Sequence, residues 1–487
     1  MPEVHIDLDE PEAAPAPPSP RRRRRAIVAV AAAVAAIAAG TIVVRLTAPP
    51  EPAGPLSRPQ AWSVEIPAEL GESVTARVKG EVVLIAAERG LLAVERATGE
   101  ELWRRDLTEV IARVEAGQGL GTSSVDWYLN LAGNSLMMPV YDGGDVWNPS
   151  AFEVVDLPTG ATRFTFDVDE DSGEGSFGFV TPGSLIVVRP GDPDELTAVA
   201  LSDGRELWRH STDQVITTPR GYSVRAQAIS MRNSAATGDE PPEDAFILLS
   251  AEPDAGVPTE ANYLDLADGE TGPDWRAEDP NSHYFEPVQG LLIDVAEPRV
   301  MRAYDPVTGT KLWESATLRD FSMPGPVDSY TFTDGLLIDA DLAVPADQVT
   351  YQLIDLSDGT VSPGADLGGR RLVAVDADYA VGLDPDPATL TAITPGGATL
   401  WTTSLRPKGW TTPGFQAEGF LTGDGWLAVE GRVGVGGDSS SHLWFVDLAT
   451  GEHGSVPDGR LLGFEGGALV STGASGTAVA LTELGAR

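Results

Sequence analysis

The residues whose types and spacing could do chemistry are few. The run DVDEDSGEG at 167–175 sets carboxylates at Asp167, Asp169 and Asp171, the alternation by which an acidic loop offers oxygens to calcium. The pattern then departs from a calcium loop. Its sixth place is Ser172 with Gly173 one place late, and its twelfth is Gly178 where a bidentate glutamate would stand. Calcium at these three acids is one reading; an acidic turn between structural units is the other. The five histidines, His5, His210, His283, His442 and His453, have no partner at metal-ligand spacing. No H-E-x-x-H, G-x-S-x-G, Walker or Rossmann glycine pattern occurs. There is no cysteine, which removes disulfides, thiolate nucleophiles, iron–sulfur clusters and attached c-type haem.

A larger set of acids and aromatics recurs at fixed spacing. The segments AVERATGEELW (93–103), VVDLPTGATRF (154–164), AVALSDGRELW (198–208), YLDLADGETGP (263–273), AYDPVTGTKLW (303–313), LIDLSDGTVSP (353–363), TAITPGGATLW (391–401) and FVDLATGEHGS (445–455) align on one glycine. Those glycines are Gly99, Gly160, Gly204, Gly269, Gly309, Gly359, Gly397 and Gly451. An acid stands four places earlier in six copies: Glu95, Asp156, Asp265, Asp305, Asp355 and Asp447. A large aromatic stands four places later in five: Trp103, Phe164, Trp208, Trp313 and Trp401, with Trp275 displaced by two. Acids repeated this way could form a ring of ligands, and tryptophans a sugar-binding platform. Recurrence in nearly every copy favours turn chemistry. Glycine supplies the positive φ of a tight hairpin, the acid binds turn amides, and the aromatic seals one unit against the next.

The elements that must position these residues are strands. Each copy reads as an apolar strand, a second strand ending in the glycine turn, and a third often opening with Leu-Trp. Fifty-three glycines and 38 prolines suit many short strands joined by turns. A sheet with two apolar faces needs a neighbour on each, so several units must stack. The tail at 463–484 looks like a unit lacking its last strand, and AWSVEI (61–66) looks like that missing strand, so the termini are expected to pair.

This pattern resembles the tryptophan-docking repeat of PQQ-like β-propellers, over about residues 61–484. That superfamily includes quinoprotein alcohol dehydrogenases and the propeller lipoprotein of the outer-membrane β-barrel assembly machinery. The resemblance implies an all-β propeller of about eight four-stranded blades, nine by strict counting and seven at the low end. It implies little about activity, because one fold hosts many functions. In the family's dehydrogenases the quinone lies in the funnel beside calcium, under a ring of vicinal cysteines. This chain has no cysteine, and no cofactor is expected beyond calcium at the acidic loop.

Ahead of the repeats, residues 1–25 form an acidic, proline-rich tail ending in Arg21 to Arg25. The segment 26–46 follows, with no charge from Ala26 to Val44. At 1.5 Å per residue those 19 residues span about 28 Å, enough to cross the hydrocarbon of a bilayer. The arginines belong on the cytoplasmic side. A cleaved signal peptide is the rival reading, with Leu46-Thr47-Ala48 as a poor cleavage sequence. Residues 47–60, with five prolines, read as a stiff stalk, and 61–487 as the ectodomain.

The formal net charge is −40. Such a surface repels nucleic acid and anionic head groups, so neither is an expected partner. Frequent Ala, Gly, Arg and Asp point to a GC-rich bacterial source. The expectation is a non-enzymatic, monomeric scaffold at the cell membrane, binding an envelope or secreted protein. A ligand-sensing ectodomain with a separate signalling partner, and a quinone-dependent dehydrogenase, are the alternatives. The contact is expected in the two long insertions, 108–131 and 212–243. The second carries Arg220, Arg225 and Arg232, a basic cluster on an acidic domain.

Overall fold

The computed structural model describes residues 60–485 apart from 113–129, 141–148, 169–175, 190–192, 213–214, 218–245, 251–259, 273–274, 277–281, 289–290, 297–299, 306–307, 319–330, 334–335, 341–350, 376–377, 385–387, 407–414, 424, 434–439, 458, 466 and 474. The described chain is nearly all β. Its strands form nine four-stranded antiparallel sheets among the described residues. Sheet I is built from Ser73–Lys79, Val82–Ala87, Gly90–Glu95 and Glu101–Asp106 in that order. Sheets II to VIII repeat the plan over 130–167, 177–212, 215–276, 282–316, 331–363, 371–404 and 415–457. Sheet IX takes Arg460–Glu465, Ala468–Thr472 and Ala478–Glu483 from the end of the chain and Trp62–Glu65 from its beginning.

Burial explains why the repeat is legible in its middle strands and faint at its edges. All six residues of Val82–Ala87 are buried, as are the first five of Gly90–Glu95. Strands covered on both faces read as apolar runs. The first strand of sheet I, Ser73–Lys79, is buried only in part. Its mixed sequence gives no such run, and the three-strand unit expected from sequence lacks it for that reason.

Apolar clusters join successive sheets. Val82, Leu84, Leu91 and Ala93 of sheet I pack with Leu136, Met138 and Val155 of sheet II. Comparable clusters join II to III, III to IV, V to VI, VI to VII, VII to VIII and VIII to IX. Val83, Ile85 and Leu92 of sheet I pack with Ala468, Val470 and Leu481 of sheet IX, so the first sheet meets the last. This succession of four-stranded sheets is that of a β-propeller.

Eight units follow from the eight glycine turns, and each turn does mark a sheet, I to VIII. The ninth sheet has no such turn, because its third and fourth strands are the two ends of the chain. No helix among the described residues is long and apolar enough to cross a membrane. The 26–46 segment, the 1–25 tail and residues 47–59 lie outside the described residues.

Candidate functional site

The repeated turn and the aromatic it receives are the best-defined side-chain constellation. In sheet I the Gly99 N–H donates to the Glu95 carbonyl at 2.8 Å, and the Glu95 N–H donates to the Glu100 carbonyl at 2.8 Å. The same glycine bond recurs to Asp156, Ala200, Asp265, Asp305, Asp355 and Asp447. In sheet VII Gly397 bonds Thr394, three places back. The acids' side chains complete the turns. Asp355 accepts the Ser357 N–H at 2.8 Å and its hydroxyl at 2.6 Å. Asp265 accepts the Ala267 N–H, Asp305 that of Thr308, and Asp447 those of Ala449 and Thr450. Glu95 and Asp156 accept the hydroxyls of Thr98 and Thr159.

These bonds set the acids' electrostatics. The Thr159 hydroxyl, and then the Arg163 guanidinium, hold Asp156 below the usual carboxylate range. The Ser357 hydroxyl and amide do the same for Asp355. A carboxylate accepting such bonds stays ionised and is a weak base.

Each aromatic docks on the turn of the following sheet. The Trp103 Nε1–H donates to Leu157 O at 2.6 Å, Trp208 to Leu266 O at 3.1 Å, Trp313 to Leu356 O at 2.8 Å and Trp401 to Leu448 O at 2.8 Å. The ring lies against the glycine. A Cβ on Gly451, whose φ is 72°, would come 2.6 Å from the Trp401 ring; one on Gly160 would come 2.6 Å from Trp103 and one on Gly359 2.8 Å from Trp313. Phe164 packs on Gly204 in the same way without a donor. Glycine is thus demanded twice, by φ and by the ring. At Gly397 only φ applies, since a Cβ there meets nothing within 4 Å. The Trp275 side chain lies outside what is described, and Gly309 has a φ of 67°.

A β-bulge aims the ring. In sheet I Trp103 pairs with Ala93 and Glu101 with Val94, which leaves Leu102 unpaired. The same shift isolates Leu207, Leu312 and Leu400, and Arg163 in sheet II. The four leucines are 41%, 40%, 49% and 44% exposed while the next residue turns inward. A bulge re-aims side chains and blunts an edge strand against unwanted pairing. The Leu-Trp dipeptide is the sequence mark of this device, which sequence reasoning saw only as a strand start.

Sequence reasoning also missed a position two places after the aromatic. Arg105 makes a two-pronged ion pair with Glu153 of sheet II at 2.7 and 3.0 Å. Phe166 lies under the Arg189 guanidinium of sheet III at 5.1 Å. Ser315 donates to Gly359 O and Thr403 to Gly451 O. Nothing in the repeat signals these residues, because each differs from the next. Trp62 is a further docking ring: it donates to Arg96 O at 2.7 Å and covers Gly99, although the residue four places before it is Arg58 and not a glycine.

The remaining candidates are not brought together. Asp167 is the exposed last residue of Thr162–Asp167, paired with Ala151. Asp169, Asp171, Arg220, Arg225 and Arg232 lie outside the described residues. Of the insertion 108–131, residues 108–112 start one helical turn, whose Thr108 N–H is capped by Asp106 at 2.8 Å, and 130–131 belong to Asn130–Ala132, the first strand of sheet II; of 212–243, Val215–Thr217 is the first strand of sheet IV, so neither stretch is insertion throughout. Among the described residues no group of three or more His, Asp or Glu is placed to hold a metal. His442 stacks on Trp444 at 5.4 Å between centroids. Burial lowers the pKa of His210 and of His453.

No family model matches the chain, and no curated protein matches it. Solved structures do. BamB from Moraxella catarrhalis is similar at 13% identity over 88% of this chain and all of that one, with a TM-score of 0.38. A quinohemoprotein alcohol dehydrogenase from Pseudomonas putida is similar at 12% identity over 91% and 79%, TM-score 0.37. The corresponding enzyme from Comamonas testosteroni is similar at 12% identity over 88% and 77%, TM-score 0.39.

Proposed function

We propose that the chain is a single-pass membrane protein that holds a nine-bladed β-propeller outside the cytoplasm and acts by binding another protein of the cell envelope, without turnover of its own. The observation that carries this reading is what the repeated residues do. The acids of the repeat accept turn amides and hydroxyls, and the tryptophans are docked on the next sheet through ring and Nε1–H. The residue types that recur once per unit, and could have formed a ring of ligands or a sugar platform, are used for architecture. What differs from unit to unit is the connecting sequence. A rigid frame with variable connections is a binding surface. The longest connections, including 218–242 with Arg220, Arg225 and Arg232 after the strand Val215–Thr217, are the proposed contact.

The anchor and orientation rest on the uncharged 26–44 stretch beside Arg21 to Arg25. Protease added to intact protoplasts digests residues 60–487 and spares an amino-terminal tag on this reading; a protected ectodomain refutes the orientation. A pull-down with the anchored protein, repeated with 218–242 deleted so that the strand Val215–Thr217 of sheet IV is kept, tests the contact. A folded deletion variant that keeps every partner refutes that loop's role. Quinone-dependent dye reduction by the purified ectodomain refutes the non-enzymatic reading.

A further inference from the structure

Trp62–Glu65 is unlike every other strand among the described residues, because it reaches its sheet from the opposite end of the chain. Its register is Trp62↔Leu481, Ser63↔Ala480, Val64↔Val479 and Glu65↔Ala478. The Ala61 N–H donates to Leu481 O at 2.8 Å and the Ile66 N–H to Thr477 O at 2.7 Å, so residues 61–66 lie along one edge from end to end. Alternate side chains face inward. Trp62 and Ile66 are buried, Val64 is half-buried against the same cluster, and Ser63 and Glu65 are exposed. Trp62 supplies the anchor, with its ring on Gly99 and its Nε1–H on Arg96 O. The arrangement has the geometry of strand addition: main-chain bonds hold the segment, and every second side chain is buried.

The receiving surface is held together without the segment. Arg96 makes a two-pronged ion pair with Glu483 at 2.8 Å in both prongs. Lys79 pairs with Glu465 at 2.6 Å. The Ser73 amide and hydroxyl both donate to Gly476 O, and Thr75 donates to Leu462 O. Val83, Ile85, Val470 and Val479 pack across the same junction. Sheets I and IX therefore meet through contacts that residues 61–66 do not make.

We infer that the outer edge of Ala478–Glu483, together with the Arg96–Gly99 turn, is a peptide-binding site. Its ligand is an extended segment with tryptophan followed by apolar residues two and four places on. The chain fills it with its own residues 61–66, held there at the high effective concentration of a tethered ligand. The same segment of a second copy carries the matching chemistry. The segment is a bound ligand in energetic terms, separable from the sheets it closes.

A protease site inserted between Ala68 and Glu69 of the full-length chain in detergent tests this. The probe is a labelled peptide of residues 58–67. The uncut chain leaves the peptide unbound because its site is filled, and the cut chain binds it saturably. The Trp62→Ala peptide binds at least about 30-fold more weakly, the loss expected for a buried aromatic anchor. Absence of binding to the cut chain, equal binding of the alanine peptide, or equal binding to cut and uncut chain overturns the inference. Should the insertion prevent folding, hydrogen exchange on the unmodified chain decides. The Ala61 and Ile66 amides then exchange ahead of Val83 and Ile85 in sheet I; exchange of all four in one step means the strand is part of the global fold and not a ligand.

Discussion

Replacing Gly451 and Gly397 by alanine separates the two demands made on the turn glycine. Both have positive φ, 72° and 81°, so both variants carry the backbone strain of alanine in the left-handed region, about 1–2 kcal/mol. They differ in surroundings. A Cβ at 451 lies 2.6 to 2.8 Å from three Trp401 ring atoms, and a Cβ at 397 has nothing within 4 Å. Relief at 451 means pushing out a ring that is buried and hydrogen-bonded to Leu448 O. Overpacking of that kind adds about 1–3 kcal/mol. Gly451→Ala is therefore expected to destabilise by about 2–5 kcal/mol and Gly397→Ala by about 1–2 kcal/mol. The assay is equilibrium unfolding in urea, with the midpoint and slope fitted for each variant. Trp401→Ala supplies the control, because removing the ring removes the clash. In that background Gly451→Ala falls to the Gly397→Ala value, a coupling of about 1–3 kcal/mol. Equal costs at 451 and 397, or additivity with Trp401→Ala, refute the twofold role of the glycine.

Trp313→Ala is expected to cost roughly 3–5 kcal/mol, since the ring is 6% exposed and fills the junction of sheets V and VI. A denaturation curve showing under about 1 kcal/mol refutes its packing role. Calcium binding at the acidic loop, tested by calorimetry at millimolar calcium, gives heat that disappears when Asp167, Asp169 and Asp171 are all replaced by asparagine; no heat, or heat unchanged in that variant, eliminates the site. The pH dependence has two windows. His210 and His453 have lowered folded pKa values because burial opposes the charged form. The unfolded chain takes up those protons first, so stability is full above the ordinary value of about 6.5 and declines as pH falls through it. Asp156 and Asp355 are lowered by bonds to their ionised forms, so their contribution persists until pH falls below the usual carboxylate range. Unfolding midpoints between pH 8 and pH 5 in a His453→Gln variant should fall less than in the parent; an unchanged slope refutes the assignment to that residue.

How much was legible follows from what recurs. The glycine turn is legible because one backbone conformation is demanded eight times, and only glycine meets it without strain. Trp103, Trp208, Trp313 and Trp401 are legible for the same reason. The direction of docking was not, because spacing within a unit does not say which neighbour the ring meets. Leu157, Leu266, Leu356 and Leu448 receive the indole N–H groups through backbone carbonyls, which leave no mark on residue type. The first strand of each sheet was missed because a half-buried strand such as Ser73–Lys79 lacks an apolar run. The ninth sheet has no glycine turn to align, and it was legible as two fragments, 463–484 and 61–66, each lacking what the other supplies; the expected pairing of the termini is present as Trp62–Glu65 on Ala478–Glu483. The basic cluster Arg220, Arg225 and Arg232 was visible as composition, but composition carries no geometry.

A repeat that docks one sheet after another by an aromatic ring on a glycine, as at Gly99, Gly160, Gly204, Gly269, Gly359 and Gly451, has a specificity problem. Trp103 would fit the Gly451 turn as well as the Gly160 turn, so the shared contact cannot by itself reject a sheet packed on the wrong neighbour. The contacts two residues beyond the ring can. Arg105 needs the carboxylate of Glu153, and Phe166 needs the guanidinium of Arg189. The Ser315 and Thr403 hydroxyls donate to the carbonyls of Gly359 and Gly451. Set against a wrong neighbour, Arg105 would stand without its acid and Phe166 without its cation. Unpaired charge at a partly buried junction costs more than the pair gains. The same logic applies at the closing junction. Lys79 and Arg96 of sheet I meet Glu465 and Glu483 of sheet IX in two ion pairs. Uniform docking supplies the stability of the stack, and the differing second contacts specify its order and where it closes.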